Sequence, residues 1–170
     1  GVGYAKAAGN YAASFFPTKQ ANAKGFTQLI WTDAKEHKYI EECGTMNIWF
    51  RIRNTLITPV LSDSILGGIT RDSVVTLAKD SGIEVEERRI LISEVVEAYG
   101  NGSLKEAFGT GTAVTINPIN SITFEDKKMI LVSQEDSFAL KLKQQLQAIQ
   151  KGSAVDTYDW TSKVLNMVNN

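Results

Sequence analysis

A chain of 170 residues with 43% hydrophobic and 22% charged side chains has the size of one domain and enough apolar matter for a core, which excludes a disordered tail. A net charge of −1 supplies no field to gather nucleic acid or an anionic membrane, and no apolar run approaches the roughly 20 residues of a spanning helix. One cysteine, Cys43, excludes an internal disulfide framework and suits a reducing compartment. The chain opens on Gly1 in mid-pattern, so it reads as part of a longer or processed chain, and the lack of a targeting segment carries no weight.

In chain order, the first signals are helical. Residues before Gly25-Phe26 read as a helical stretch in which Pro17 marks a restart. Strands are predicted at residues 27–31, 39–41 and 45–52, the last rich in aromatic and β-branched side chains. Leu56-Ile57-Thr58-Pro59 reads as a short strand closed by proline. Residues 70–81 place Val74, Val75, Leu77 and Ala78 at helical spacing, with Thr70 as N-cap and Gly82 as the stop. Residues 83–90 alternate like a strand, 93–99 form a short helix, and 108–119 run from a glycine-threonine turn into a β-branched strand. A closing amphipathic helix at 137–150 aligns Phe138, Leu142, Leu146 and Ile149 on one face. No repeat or low-complexity segment intervenes, and the mixture predicts an α/β or α+β fold with a substantial sheet.

Four short stretches carry chemistry. Lys6 stands among glycines and alanines, a crowd of small residues that leaves room for something bulky against the backbone. Leu66-Gly67-Gly68-Ile69-Thr70-Arg71 is a glycine turn opening onto a helix, whose unpaired amides and dipole suit a phosphate. Phe108-Gly109-Thr110-Gly111-Thr112-Ala113 offers amides that glycine lets a ligand approach, plus threonine hydroxyls. Neither has the lysine of a P-loop, and each alone is most simply a turn. A cofactor with both a phosphate and an aldehyde needs an amine for a Schiff base, which gives Lys6 a use. It also needs an acid beside a pyridine nitrogen, and Glu41-Glu42 precedes a strand in which the two would face opposite sides. Alone, Lys6 is a solvated lysine, Glu42 a strand-end charge and Tyr11 a helix-face residue. His37, the single histidine, lies in a polar hairpin-like turn with no catalytic role, and no metal site is expected. Trp31, Trp49 and Phe50 read as core or interface, and Arg88-Arg89 is too short for nucleic acid.

Taken together, Lys6-Ala7-Ala8-Gly9-Asn10-Tyr11, Glu42-Cys43-Gly44-Thr45-Met46-Asn47 and the two glycine blocks closely resemble the branched-chain amino-acid aminotransferases, pyridoxal phosphate (PLP) enzymes of fold type IV. The blocks come in the family's order and spacing across nearly the whole chain. The resemblance implies a mixed sheet or barrel flanked by helices. It implies that Lys6 forms the Schiff base and shuttles a proton, that Tyr11 bonds the cofactor's phenolic oxygen, and that Glu42 pairs with the pyridine nitrogen. Ile69, Thr70 and Thr112 would cradle the phosphate, while Thr45 and Ala113 would meet the substrate carboxylate. Branched-chain amino acids and 2-oxo acids are the implied substrates, 2-oxoglutarate the amino acceptor and a homodimer the implied assembly. Nucleic acid and membrane are not expected partners. The implied compartment is the cytoplasm, with mitochondria as the alternative.

Two departures stand out. Val114-Thr115-Ile116-Asn117 lacks the redox-active cysteine pair that some relatives carry there, so that switch is expected to be missing. Family members also have a domain ahead of the lysine segment that gives an arginine to the phosphate and much of the side-chain pocket. Residues 1–170 therefore read as the C-terminal PLP-binding domain, expected to fold alone but to turn over nothing. The alternatives are another type IV enzyme, such as a D-amino-acid aminotransferase or an aminodeoxychorismate lyase, and a non-catalytic module.

Overall fold

In the computed structural model, which describes residues 1–132 and 135–162, the aromatic run Met46–Ile52 forms β3, the strand around which the sheet is organised. Ahead of it come α1 (Ala8–Ala12), α2 (Phe15–Ala23), β1 (Ile30–Thr32) and β2 (Tyr39–Cys43). After it run β4 (Thr55–Thr58), α3 (Ile69–Asp80), β5 (Glu84–Glu87), β6 (Ile90–Leu91) and α4 (Ile92–Gly100). The remainder is β7 (Leu104–Gly111), β8 (Thr115–Pro118), the hairpin β9 (Ser121–Phe124) and β10 (Lys127–Ile130), and α5 (Phe138–Gln150).

The main sheet follows the order β1-β2-β3-β4-β5, with β6 on β2, β7 on β3 and β8 on β7. Among the described strands only β4 and β5 pair in parallel, and α3 makes the crossover that parallel neighbours require. The fold is thus mixed α/β, as expected. Along β3 side chains alternate between two cores. Ile48 and Phe50 join Ile57, Ile90 and Val95 beneath α4, while Trp49 joins Leu56, Val74, Phe108 and Leu142 beneath α3 and α5. Trp49 and Phe108, directly opposite in the register, stack with ring centroids 5.7 Å apart. A strand buried on both faces cannot shift, so it holds the polar residues at its start in place.

Several expectations change. Helix α3 is capped by Gly68 (φ −71°, ψ 132°), with no side-chain cap, and Thr70 lies inside it. A Cβ at Gly68 would stand 2.3 Å from the Asn47 Oδ1 atom, so packing against β3 selects glycine at the cap over a hydroxyl residue. Phe108 to Gly111 are strand, not turn, and the reversal falls at 112–114. These glycines make room for Met46 across the sheet, whose Cε and Sδ would both lie 2.9 Å from a Cβ at Gly109. The segment 83–90 divides into β5 and β6, and the first strand begins at Ile30. The β9–β10 hairpin, unforeseen, turns on Glu125-Asp126, with Glu125 at φ 53°. Its two-residue loop lacks the glycine that usually announces such a turn.

Candidate functional site

The acid at the end of β2 is aimed by an irregularity. Trp31 pairs with Glu42 but Thr32 pairs with Ile40, so Glu41 is the extra residue of a β-bulge. Strict alternation would send Glu41 and Glu42 to opposite faces. The bulge breaks it, and both carboxylates reach the loop before α3: Glu41 accepts from the Ser64 hydroxyl, and Glu42 Oε1 accepts from the Leu66 amide at 3.0 Å. Burial pushes the Glu42 carboxyl up to about 7; the Leu66 amide opposes this and the neighbouring Glu41 adds to it. The turn beyond, Gly44-Thr45, has Gly44 at φ 59°, and a Cβ there would lie 2.1 Å from Gln28 Oε1. The Trp31 indole donates to the Gly44 carbonyl at 3.0 Å and pins this turn.

Asn47, opposite Glu42 in the register, completes a closed arrangement. Its amide donates to the Leu66 carbonyl at 2.8 Å and to Glu42 Oε1 at 3.4 Å. The acid is thereby tied to the turn that opens α3. At that helix end Ile69 is exposed and Thr70 half-buried. The first-turn amides there have no carbonyl of their own helix ahead of them, which makes the end electropositive.

Lys6 is exposed, on a loop just before α1. Asn10 closes that loop by donating to the carbonyls of Val2 at 2.9 Å and Ala5 at 3.0 Å. The loop is seated on residues 63–64: the Tyr4 amide donates to the Asp63 carbonyl at 3.2 Å, and a Cβ at Gly3 would lie 2.3 Å from the Ser64 carbonyl oxygen. Residues 63–66 are therefore a hub that receives the Lys6 segment, Glu41 and Glu42. Tyr11 lies half-buried on α1.

Thr45, Thr112 and Ala113 are exposed at the β2–β3 and β7–β8 turns. The register Asn47↔Thr110 brings both turns to the same end of the sheet as Glu42 and Gly68. Thr110 itself is buried and accepts from the Trp49 indole at 3.1 Å, so its hydroxyl is structural. Asn47 and Ser64 are participants that sequence reasoning did not single out. A polar residue inside the apolar run of β3 was the available signal for Asn47. Among the described residues, no group of His, Cys, Asp or Glu could hold a metal ion, and no helix is long and apolar enough to cross a membrane. A cleft of about 750 Å³ lies elsewhere, between α4, the β9–β10 hairpin and the His37 turn. It contains none of these residues.

The family model for Amino-transferase class IV matches residues 3–122. Branched-chain-amino-acid aminotransferase 2 of Bacillus subtilis (strain 168) is 47% identical over 165 residues, spanning 96% of this chain and 46% of the relative. A probable branched-chain-amino-acid aminotransferase of Staphylococcus aureus (strain N315) is 47% identical over 161 residues, or 94% and 45% of the two chains. Among solved structures, the branched-chain amino acid aminotransferase of Escherichia coli superposes with a TM-score of 0.78 at 30% identity, covering 93% of this chain and 50% of that one. The branched-chain amino acid aminotransferase of Thermobaculum terrenum in its PLP-form gives 0.76 at 28%, covering 90% and 47%. The chain spans about half the length of the curated relatives it matches.

Proposed function

We propose, from the premise that the chain belongs to the class IV amino-transferases, that residues 1–170 are the PLP-binding domain of a branched-chain amino-acid aminotransferase. The enzyme would move the amino group of leucine, isoleucine or valine to 2-oxoglutarate, as a homodimer in the cytoplasm. One observation carries the reading: a half-buried acid, Glu42, is tied through Leu66 and Asn47 to a glycine-capped helix end. An acid tied to a helix end suited to an anion supports a cofactor with a pyridine nitrogen and a phosphate.

The residues present fit PLP. The helix end contributes the amides of Ile69 and Thr70, with the Thr70 and Thr112 hydroxyls as further donors for the phosphate. Gly68 keeps the approach open where a Cβ would collide with Asn47. Lys6, exposed among small residues, is the amine for the aldehyde, and Tyr11 the hydroxyl for the phenolic oxygen. When bound, PLP supplies an electron sink for the α-carbon of the amino acid. Glu42, whose carboxyl burial raises to about 7, would keep the pyridine nitrogen protonated, and the positive charge there would favour the carboxylate form of the acid. The Lys6 amine moves the substrate's α-proton, while the Ala113 amide and the Thr45 hydroxyl orient the substrate carboxylate.

The test is reduction of the PLP-loaded full-length protein with borohydride, peptide mapping, and an assay with leucine and 2-oxoglutarate. Label on Lys6 with transamination of leucine is expected. Label on another lysine overturns the Lys6 assignment, and turnover of D-alanine in place of leucine assigns the protein to another type IV activity. Residues 1–170 alone are expected to fold without transaminating, the phosphate lacking the charge-assisted arginine contact implied by the family.

A further inference from the structure

We propose that Asn47 is a positioning residue that locks the Glu42 carboxyl to the turn opening α3, making acid and helix end one preformed unit. The inference rests on the reading of Glu42 above. Its geometry stands apart from that reading. Asn47 is only 5% exposed, in a strand paired on one side with β2 and on the other with β7. Its side-chain amide uses both hydrogens, one on the Leu66 carbonyl at 2.8 Å and one on Glu42 Oε1 at 3.4 Å. The Leu66 amide donates to the same Oε1 at 3.0 Å. Glu42, Leu66 and Asn47 thus close a three-membered hydrogen-bonded ring.

The ring has a direction. Both donors hold Oε1, and among the described residues no donor reaches Oε2, so Oε2 is the oxygen presented to a ligand. An asparagine amide meets both acceptors from this position. Leucine would leave the Leu66 carbonyl without its partner, and aspartate would set a carboxylate against both that carbonyl and Glu42. The third corner, Asn47 Oδ1, lies against Gly68, where a Cβ would stand 2.3 Å away. A methyl at position 68 must displace the Asn47 amide. The separation between the acid and the α3 amides is therefore set by Asn47 and Gly68 together, before any ligand binds.

The experiment follows the Glu42 carboxyl carbon by NMR titration in the cofactor-free full-length protein, comparing wild type, Asn47→Ala, Gly68→Ala and the double variant. Releasing the Leu66 turn loosens the Leu66 amide's hold on Oε1, the donor that lowers the Glu42 carboxyl, and should raise the Glu42 midpoint in each single variant. The double variant should shift no further, because both changes break the same ring. In the PLP-loaded enzyme, kcat should fall about 10- to 100-fold with little change in KM for leucine. Gly68→Ala keeps every functional side chain and so provides the comparison even where Asn47→Ala does not fold. An unshifted Glu42 midpoint in a folded variant overturns the proposal, whatever happens to activity. A shifted midpoint without any change in PLP affinity or turnover supports Asn47 as the positioner of Glu42 and instead overturns Glu42 as the cofactor's acid.

Discussion

Two carboxylates sit beside helix N-termini at opposite ends of β3, and they are treated differently. At the far end, Glu106 is 7% exposed and saturated: it accepts from the Ser137 hydroxyl, from the Phe138 amide at 2.8 Å and the Ala139 amide at 3.2 Å, and from Arg51 at 2.9 Å. Arg51 also bonds Asp136 at 2.8 Å and lies 3.8 Å over the Phe138 ring. This cluster locks α5 to the sheet and has no lone pair left to offer. Glu42 is only half-buried, has two donors on one oxygen and, among the described residues, no cation. A saturated buried acid is structural, whereas an unsaturated one facing a helix end is available to a ligand.

Exchanging the two roles should separate their effects. Glu42→Gln should keep the full-length enzyme loaded with PLP and slow transamination on the order of 10³-fold, read as single-turnover rates. A near-normal rate would move the task to Glu41. At the other end, Arg51→Leu leaves Glu106 buried without its cation and should cost about 3 kcal/mol of stability in urea unfolding, with kcat of the folded enzyme unchanged.

The pH dependence sharpens the contrast further. Folding raises the Glu42 carboxyl from 4.5 to about 7, so it favours the protonated form. The stabilisation from that form is complete below the unfolded value and is lost as pH rises through the folded one. Relative to wild type, Glu42→Gln should therefore gain about 1–2 kcal/mol between pH 4.5 and 7, after allowance for the acid's partial exposure, and level off above. Urea midpoints at pH 5 and pH 8 measure this. Ser137→Ala removes a hydroxyl that both accepts from the Leu140 amide, capping α5, and donates to buried Glu106, and should cost about 1–2 kcal/mol in thermal unfolding.

Much of the fold is legible along the chain. The periodic apolar residues of α3 and α5, and the β-branched and aromatic run of β3, report their own burial locally. The glycine blocks are also conspicuous, but their use is not. Gly68 reads as part of a phosphate turn and also serves as the cap that clears Asn47. Gly109 reads as turn and is strand, cleared for a methionine more than sixty positions earlier.

The candidate site divides along the same line. Sequence by itself determined which side chains are on offer: a lysine among small residues, an acid beside a strand, a helix opened by glycines, and no second cysteine. Tertiary structure alone decided how the acid relates to the helix end. The bulge at Glu41 depends on the pairing of β1 with β2, and the Asn47 ring on the packing of β3 against residues 66–68. Side-chain type and local periodicity are properties of neighbouring residues, whereas register and close approach arise between residues far apart in the chain. Which oxygen of Glu42 is left free is therefore decided only when the sheet closes against α3.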